Sequence, residues 1–249
     1  MRSTLDRIVR LFNRPSARAA QPPVVVDGAI PTFALSIDRH TPLPERLVEL
    51  ALHAIQAVSA GQVDLDDLLR RDGVQEWITI WPGEHYLLLA AVVRKLQPRV
   101  VIEIGTDTGT SALAMRKYLP PDGRIVTFDI APWQELDRAV LRDDDFRGGQ
   151  LEQRLADLAD PAVFERHRGL LEAAEFLFID GPKNTTFEYA LMRNLQTIRF
   201  ARPPILLFDD TKLASMLKFW HELPYPKLDL TSFGHWSGSG LVELTPTPG

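Results

Sequence analysis

The run Val100-Val101-Ile102-Glu103-Ile104 leads directly into Gly105-Thr106-Asp107-Thr108-Gly109, and this junction constrains the fold more than any other segment. Four apolar residues with one acid predict a short buried strand, the glycines predict a sharp loop, and 111–118 reads as a helix. Strand, glycine loop and helix in that order build a nucleotide-type pocket beyond the carboxyl end of the strand. Gly105 is expected to permit the turn and Gly109 to let a ligand approach the backbone, because neither carries a Cβ. The next predicted strand, 124–129, ends in Asp129, 20 residues after Gly109, where doubly wound folds place a ribose-binding carboxylate. The pattern predicts an adenosine-containing ligand.

The spacing narrows that ligand. A dinucleotide fingerprint needs a third glycine where the pyrophosphate meets the helix, and this chain has none there. An acid two residues before the first glycine, then three residues and another glycine, resembles motif I of class I S-adenosylmethionine-dependent methyltransferases. The resemblance implies that Glu103, Gly105, Thr106, Asp107, Gly109 and Ser111 line the cofactor. Glu103 would orient the methionine amino group or the backbone beside it, and Asp129 would accept both ribose hydroxyls. Asp157 is the candidate partner for the adenine amino group, Trp133 for the adenine face, and Glu84, His85 and Tyr86 for the methionine pocket. Plainer roles stay open beside these: Glu103 as a strand acid satisfied by loop N–H groups, Asp157 as an exposed acid at a helix start.

Strands predicted at 151–154, 176–179 and 205–208 alternate with helices at 161–171, 186–200 and 213–222. That alternation predicts an α/β fold with a Rossmann-like, doubly wound, mostly parallel sheet. Segments 227–231 and 240–244 read as a closing hairpin, giving an antiparallel last strand. Residues 41–98 are expected to form the N-terminal helical part of the domain, with helices at 44–58 and 84–96 and a turn or two at 63–69. Residues 99–249 are expected to carry the cofactor. Residues 1–40 read as a basic amphipathic arm and linker: five arginines face one acid in the first twenty residues, and Leu5, Ile8, Val9 and Phe12 form one helical stripe. Both a docking helix and an arm packed on a second subunit fit that stripe, and the arm makes a homodimer the expected state.

Composition excludes several classes. There is no cysteine, hence no disulfide, thiolate zinc site or cysteine nucleophile. The six histidines show no H-x-x-x-H spacing, which argues against zinc. A net charge of −5 argues against a mainly electrostatic grip on nucleic acid. No apolar run approaches the ~20 residues that cross a bilayer, so no transmembrane segment and a cytoplasmic setting are expected.

A second constellation is acidic. Phe176-Leu177-Phe178-Ile179 ends in Asp180, and Ile205-Leu206-Leu207-Phe208 ends in Asp209-Asp210. If the two strands are neighbours, about 4.8 Å apart, these carboxylates converge and call for a hard cation such as magnesium. Lys183 would stand beside that ion, and burial with a neighbouring cation would favour a neutral amine able to take a proton from a hydroxyl. The alternative is that Asp209 and Asp210 cap the helix near Leu213, with Asp180 and Lys183 a solvated pair.

The segments Phe178-Ile-Asp180-Gly-Pro-Lys183-Asn and Leu206-Leu-Phe-Asp209-Asp210 resemble the metal and base motifs of cation-dependent O-methyltransferases, the catechol and caffeoyl-CoA group. Likeness extends over 76–244. It implies Asp180, Asp209 and Asp210 as metal ligands, Lys183 as the base, and a small-molecule hydroxyl as acceptor. That group usually has Asp-Asn where this chain has Asp209-Asp210; the Asp-Asp pair is similar to macrolide-pathway sugar O-methyltransferases, which tend to carry histidine in place of Lys183. A metal-independent methyltransferase and a non-catalytic adenosine-ligand module are the alternatives. Loops 142–149 and 211–236, with His221, His235 and Trp236, are expected to border the acceptor.

Overall fold

The structure, a computed structural model, describes residues 44–245; the arm predicted for 1–40 lies outside them. Seven strands form one sheet: β1 (Val100–Ile104), β2 (Arg124–Asp129), β3 (Leu151–Leu155), β4 (Phe176–Ile179), β5 (Ile205–Asp209), β6 (Lys227–Asp229) and β7 (Ser239–Glu243). Their order is β3-β2-β1-β4-β5-β7-β6. The first five are mutually parallel, and β7 runs antiparallel to both β5 and β6. The chain steps outward from β1 to β3, then returns to β4 on the other side of β1. A crevice opens at such a reversal, outside the carboxyl ends of the strands.

Both faces of the sheet are covered, which explains the nearly unbroken apolar runs of β4 and β5. Val101, Ile125, Phe176, Phe178, Ile205, Leu207 and Leu241 face a core shared with α1 (Glu45–Ser59), α2 (His85–Leu96) and α3 (Thr110–Arg116). The alternate residues, among them Ile102, Val126, Phe128, Leu177, Ile179, Leu206 and Phe208, face α4 (Pro161–Arg166), α5 (Arg168–Glu172), α6 (Thr186–Leu195) and α7 (Ala214–Glu222). Each fully buried Phe or Leu in this arrangement contributes about 1.5–3 kcal/mol. Residues 44–98 thus form one layer over the sheet.

Several boundaries move. The helix expected over 161–171 breaks at His167. Its first half is fixed by Asp160, whose Oδ1 accepts from Ala162 N–H at 2.7 Å and Val163 N–H at 3.1 Å, with Pro161 in the first turn. The helix expected over 186–200 stops at Leu195; there Thr197 Oγ1 donates to Asn194 O, and Arg168 donates to Thr197 O at 3.2 Å. The turns expected at 63–69 reduce to one 3₁₀ turn, Leu68–Arg70. α2 ends at Gln97 in the left-handed region (φ 48°), because Pro98 disfavours helix in the residue before it.

The terminal hairpin has a positional consequence. β6 is antiparallel to β7, which is antiparallel to β5, so β6 points the same way as the parallel strands. The connection 230–238 therefore emerges at the edge where β1, β4 and β5 end.

Candidate active site

Gly105 (φ 96°) follows β1, and a Cβ there would lie 2.2 Å from Asp180 O. Only glycine lets the β1 loop press against the chain leaving β4. Gly109 (φ 82°) is different from expectation. Its missing Cβ does not open the backbone to a ligand, because that position is 2.2 Å from Leu141 Cγ. Val140 N–H donates to Thr108 O at 2.8 Å and fixes this segment over the loop.

Glu103 is fully buried. Its Oε1 accepts from Ser111 Oγ at 2.5 Å, while Oε2 has no partner. Burial pushes the carboxyl up to about 7, against hydrogen bonds from Ser111 and Thr127. The loop N–H groups offered to Glu103 as a plainer role go to Asp129 instead. Asp129 Oδ2 accepts from Thr106 N–H at 2.9 Å and Asp107 N–H at 3.3 Å; Oδ1 accepts from Ile130 N–H at 2.7 Å and Ala131 N–H at 3.2 Å. Asp129 thus clasps the ends of β1 and β2 together.

Two polar residues that sequence reasoning missed complete this half. Glu103, Thr127 and Gln153 stand in register on β1, β2 and β3. Thr127 Oγ1 lies 2.8 Å from Thr106 Oγ1, and Gln153 Nε2 donates to Thr106 Oγ1 at 3.1 Å and Ala131 O at 3.2 Å. A polar residue close to the end of each of three strands is the signal in the sequence. Asp107 is exposed and paired with Arg138 at 2.8 Å. Asp157 stays on its own exposed turn after β3, accepting from Ala159 N–H at 2.8 Å. Trp133 stacks on Phe146 with centroids 5.6 Å apart; with Gln153 and Leu155 these rings line an open cavity of about 710 Å³.

The acidic residues do converge in space. The Lys183 ammonium donates to Asp180 Oδ1 and, at 2.8 Å, to Asp210 Oδ2. Burial alone would lower the lysine, but Asp180 and Asp210 outweigh it and raise the pKa above the ordinary range. With only these two carboxylates facing it, Lys183 is held as an ammonium. Burial pushes the Asp180 carboxyl well above its usual range, with Asp209 adding to it and Lys183 opposing. Lys183 (φ 51°) and Asp210 (φ 59°) both occupy the left-handed region, where a side chain is strained. α7 carries no side-chain cap at Leu213, so Asp209 and Asp210 do not serve as its caps.

Two histidines from distant parts of the chain join these acids. His235, on the 230–238 connection, has Nδ1 3.2 Å from Asp209 Oδ1 and 3.4 Å from Asp210 Oδ1, and Nε2 3.4 Å from Glu84 Oε2. Burial lowers its pKa, but Asp209 and Asp210 carry it up to about 10. Ser237 Oγ donates to Asp210 Oδ1 and lies 2.7 Å from His235 Nδ1. His85 is 3% exposed, its Nδ1 3.7 Å from Asp209 Oδ1 and neither ring nitrogen hydrogen-bonded. Burial pushes it down to about 4. Among the described residues three overlapping sets hold ligand atoms within 4.8 Å of one another: Glu84, His85 and His235; His85, Asp180 and Asp209; Asp209, Asp210 and His235. His221 lies on α7 and Trp236 is 59% exposed, its ring 5.6 Å from that of His235.

A family model described as O-methyltransferase matches residues 70–211, more than half of the chain. The chain belongs to the O-methyltransferase family. It is 39% identical to catechol O-methyltransferase of Mus musculus over 75 residues, 28% of each chain. It is 28% identical to catechol O-methyltransferase B of Danio rerio over 110 residues, 44% of this chain and 39% of that one. The matched segments thus span less than half of those relatives. A solved methyltransferase of Geobacter sulfurreducens shares the fold with a TM-score of 0.50 at 14% identity, covering 79% of this chain and 90% of that one. In this member of the O-methyltransferase family, Glu84, His85 and the acids with Lys183 lie inside the matched region, whereas His235 and Ser237 lie beyond it. Among its described residues, no helix is long and apolar enough to cross a membrane.

Proposed function

We propose that this protein transfers the methyl group of S-adenosylmethionine to a hydroxyl oxygen of a small molecule. Asp180, Asp209 and Asp210 would hold a divalent metal such as magnesium, and Lys183 would act as base. The observation that carries this reading is the meeting of the Glu103 loop and the Asp180–Lys183–Asp210 cluster at the carboxyl ends of adjacent strands, in a chain of the O-methyltransferase family.

The residues fit both groups. Glu103 Oε2 is a buried acceptor without a donor, and an ammonium such as that of the methionine tail would supply one. Asp180 and Asp210 meet at Lys183, and Asp209 and Asp210 meet at His235; carboxylates so grouped suit a hard cation with oxygen ligands. When bound, the cofactor supplies an electrophilic methyl and the ion supplies charge that lowers the pKa of a nearby hydroxyl.

The chain's own residues do the rest. The Asp129 clasp fixes the glycine loop, so the cofactor side is preorganised before an acceptor arrives. Holding the acceptor oxygen in line contributes about 7–11 kcal/mol in favourable cases. Lys183 keeps its proton while Asp180 and Asp210 face it. Were a cation held by Asp180 and Asp210, burial would favour loss of the Lys183 proton to solvent, and the neutral amine would be placed to take the hydroxyl proton.

The deciding experiment measures methyl transfer to a catechol with magnesium present and with the metal chelated, for the wild type and Asp180→Asn. Activity that vanishes on chelation and in the variant supports the reading; no turnover with S-adenosylmethionine on any catechol or vicinal diol removes it. A second reading, transfer without a metal, is favoured by the Lys183 ammonium already spanning Asp180 and Asp210. It predicts turnover that survives chelation.

A further inference from the structure

Glu84, His85 and His235 are not among the residues assigned above to magnesium. These three come from the start of α2 and from the 230–238 connection, and their ligand atoms lie within 4.8 Å of one another. A cluster of acids would not by itself define a site. Here a nearly fully buried imidazole points into it with both ring nitrogens unpartnered, an arrangement that costs free energy unless something accepts its lone pair.

The orientation of His235 adds a second argument. Its Nδ1 faces Asp209 at 3.2 Å, which leaves Nε2 directed at Glu84 Oε2, 3.4 Å away. Metal-binding histidines are arranged this way: one ring nitrogen is held by a carboxylate, which fixes the ring and makes the other nitrogen a better ligand. Asp209 also lies 3.7 Å from His85 Nδ1, so one buried carboxylate stands behind both rings. The Lys183 ammonium is engaged by Asp180 and Asp210. Tyr86 and Phe178 rings, 4.2 and 5.5 Å from His85, wall the site with apolar surface.

We infer that Glu84, His85 and His235, backed by Asp209, form a cation site that takes a divalent transition-metal ion such as Zn²⁺ in preference to Mg²⁺. Two imidazoles and one carboxylate suit zinc and its neighbours, whereas magnesium favours oxygen ligands and retained waters. Three protein ligands would leave one position of a four-coordinate ion to water or another ligand. The inference does not depend on the methyl-transfer reading, since its ligands are other residues and its ion is a different one.

The test uses the full chain without cofactor or acceptor. Co²⁺ alone, an optical substitute for Zn²⁺, is titrated and followed by its visible absorption, then challenged with excess Mg²⁺ and with Zn²⁺. The expected result is one Co²⁺ per chain, displaced by Zn²⁺ and not by Mg²⁺. Glu84→Gln and His235→Ala, each checked for an unchanged circular dichroism spectrum, should weaken binding about tenfold or more, whereas Asp180→Asn should retain it. Absence of Co²⁺ binding overturns the inference. So does binding that Mg²⁺ displaces, or that survives Glu84→Gln and His235→Ala.

Discussion

Leu141 occupies the space above the Cα of Gly109, so close that a methyl group on Gly109 would sit 2.2 Å from Leu141 Cγ. The glycine at the end of the β1 loop is thus retained by packing and by its φ of 82°. Gly109→Ala should destabilise the fold by about 2–5 kcal/mol, combining overpacking with a left-handed conformation. Leu141→Ala alone should cost about 2–5 kcal/mol, and the double variant less than the two together. Urea midpoints give these values; strict additivity would mean that the two residues do not meet.

Glu103 makes stability depend on pH. Its folded pKa, about 7, lies above the ordinary glutamate value, so the folded state favours the protonated acid. The associated stability is complete below the unfolded pKa and is lost as pH rises through about 7. Glu103→Gln removes this dependence. The variant should match the wild type near pH 4.5 and exceed it at pH 8 by an amount on the order of 3 kcal/mol at most. A stability difference that stays flat from pH 4.5 to pH 8 would count against a protonated Glu103.

Lys183 is expected to act through its proton. Lys183→Met should lower kcat about 10²–10⁴-fold while the affinity for S-adenosylmethionine changes little. Lys183→Arg should not restore the rate, because a guanidinium does not release its proton. Equal rates for Lys183→Arg and the wild type would show that the position supplies charge alone.

Asp145 ties the 142–149 loop to the body of the domain. Its carboxylate accepts from Arg71 at 2.6 and 2.7 Å, Arg116 at 2.9 Å and Arg142 N–H at 2.9 Å. Burial opposes ionisation, yet Arg71 and the Arg142 N–H hold the carboxyl below its usual range. The stabilisation is therefore present above the ordinary carboxylate range and lost as pH falls. Asp145→Ala should cost about 3–5 kcal/mol at neutral pH, since two cations lose their partner. A loss below about 1 kcal/mol in chemical denaturation would class the network with surface pairs.

What was legible in the sequence follows the range of the interactions involved. The β1 strand, its loop and Asp129 could be read because strand period and turn chemistry are local. Asp180 and Lys183 could be read because they share one short loop after a buried strand. Gly109 was assigned the wrong neighbour, since a sequence does not say whose atoms fill the space a glycine leaves. The protonation of Lys183 is not legible for a related reason: it depends on Asp210, which arrives from another strand. His85 and His235 carried no spacing signal, because 150 residues separate them and sheet order alone unites them.

The terminal hairpin places the 230–238 connection over the strand ends while β7 is locked between β5 and β6. Chemistry and scaffold are thereby uncoupled: the connection can be lengthened, shortened or exchanged without breaking a pairing inside the sheet. Selection, or an engineer grafting such loops between relatives, can rewrite what is recognised at this edge without re-pairing the strands, provided the buried Leu230 and the close-packed Gly234 and Gly238 are kept.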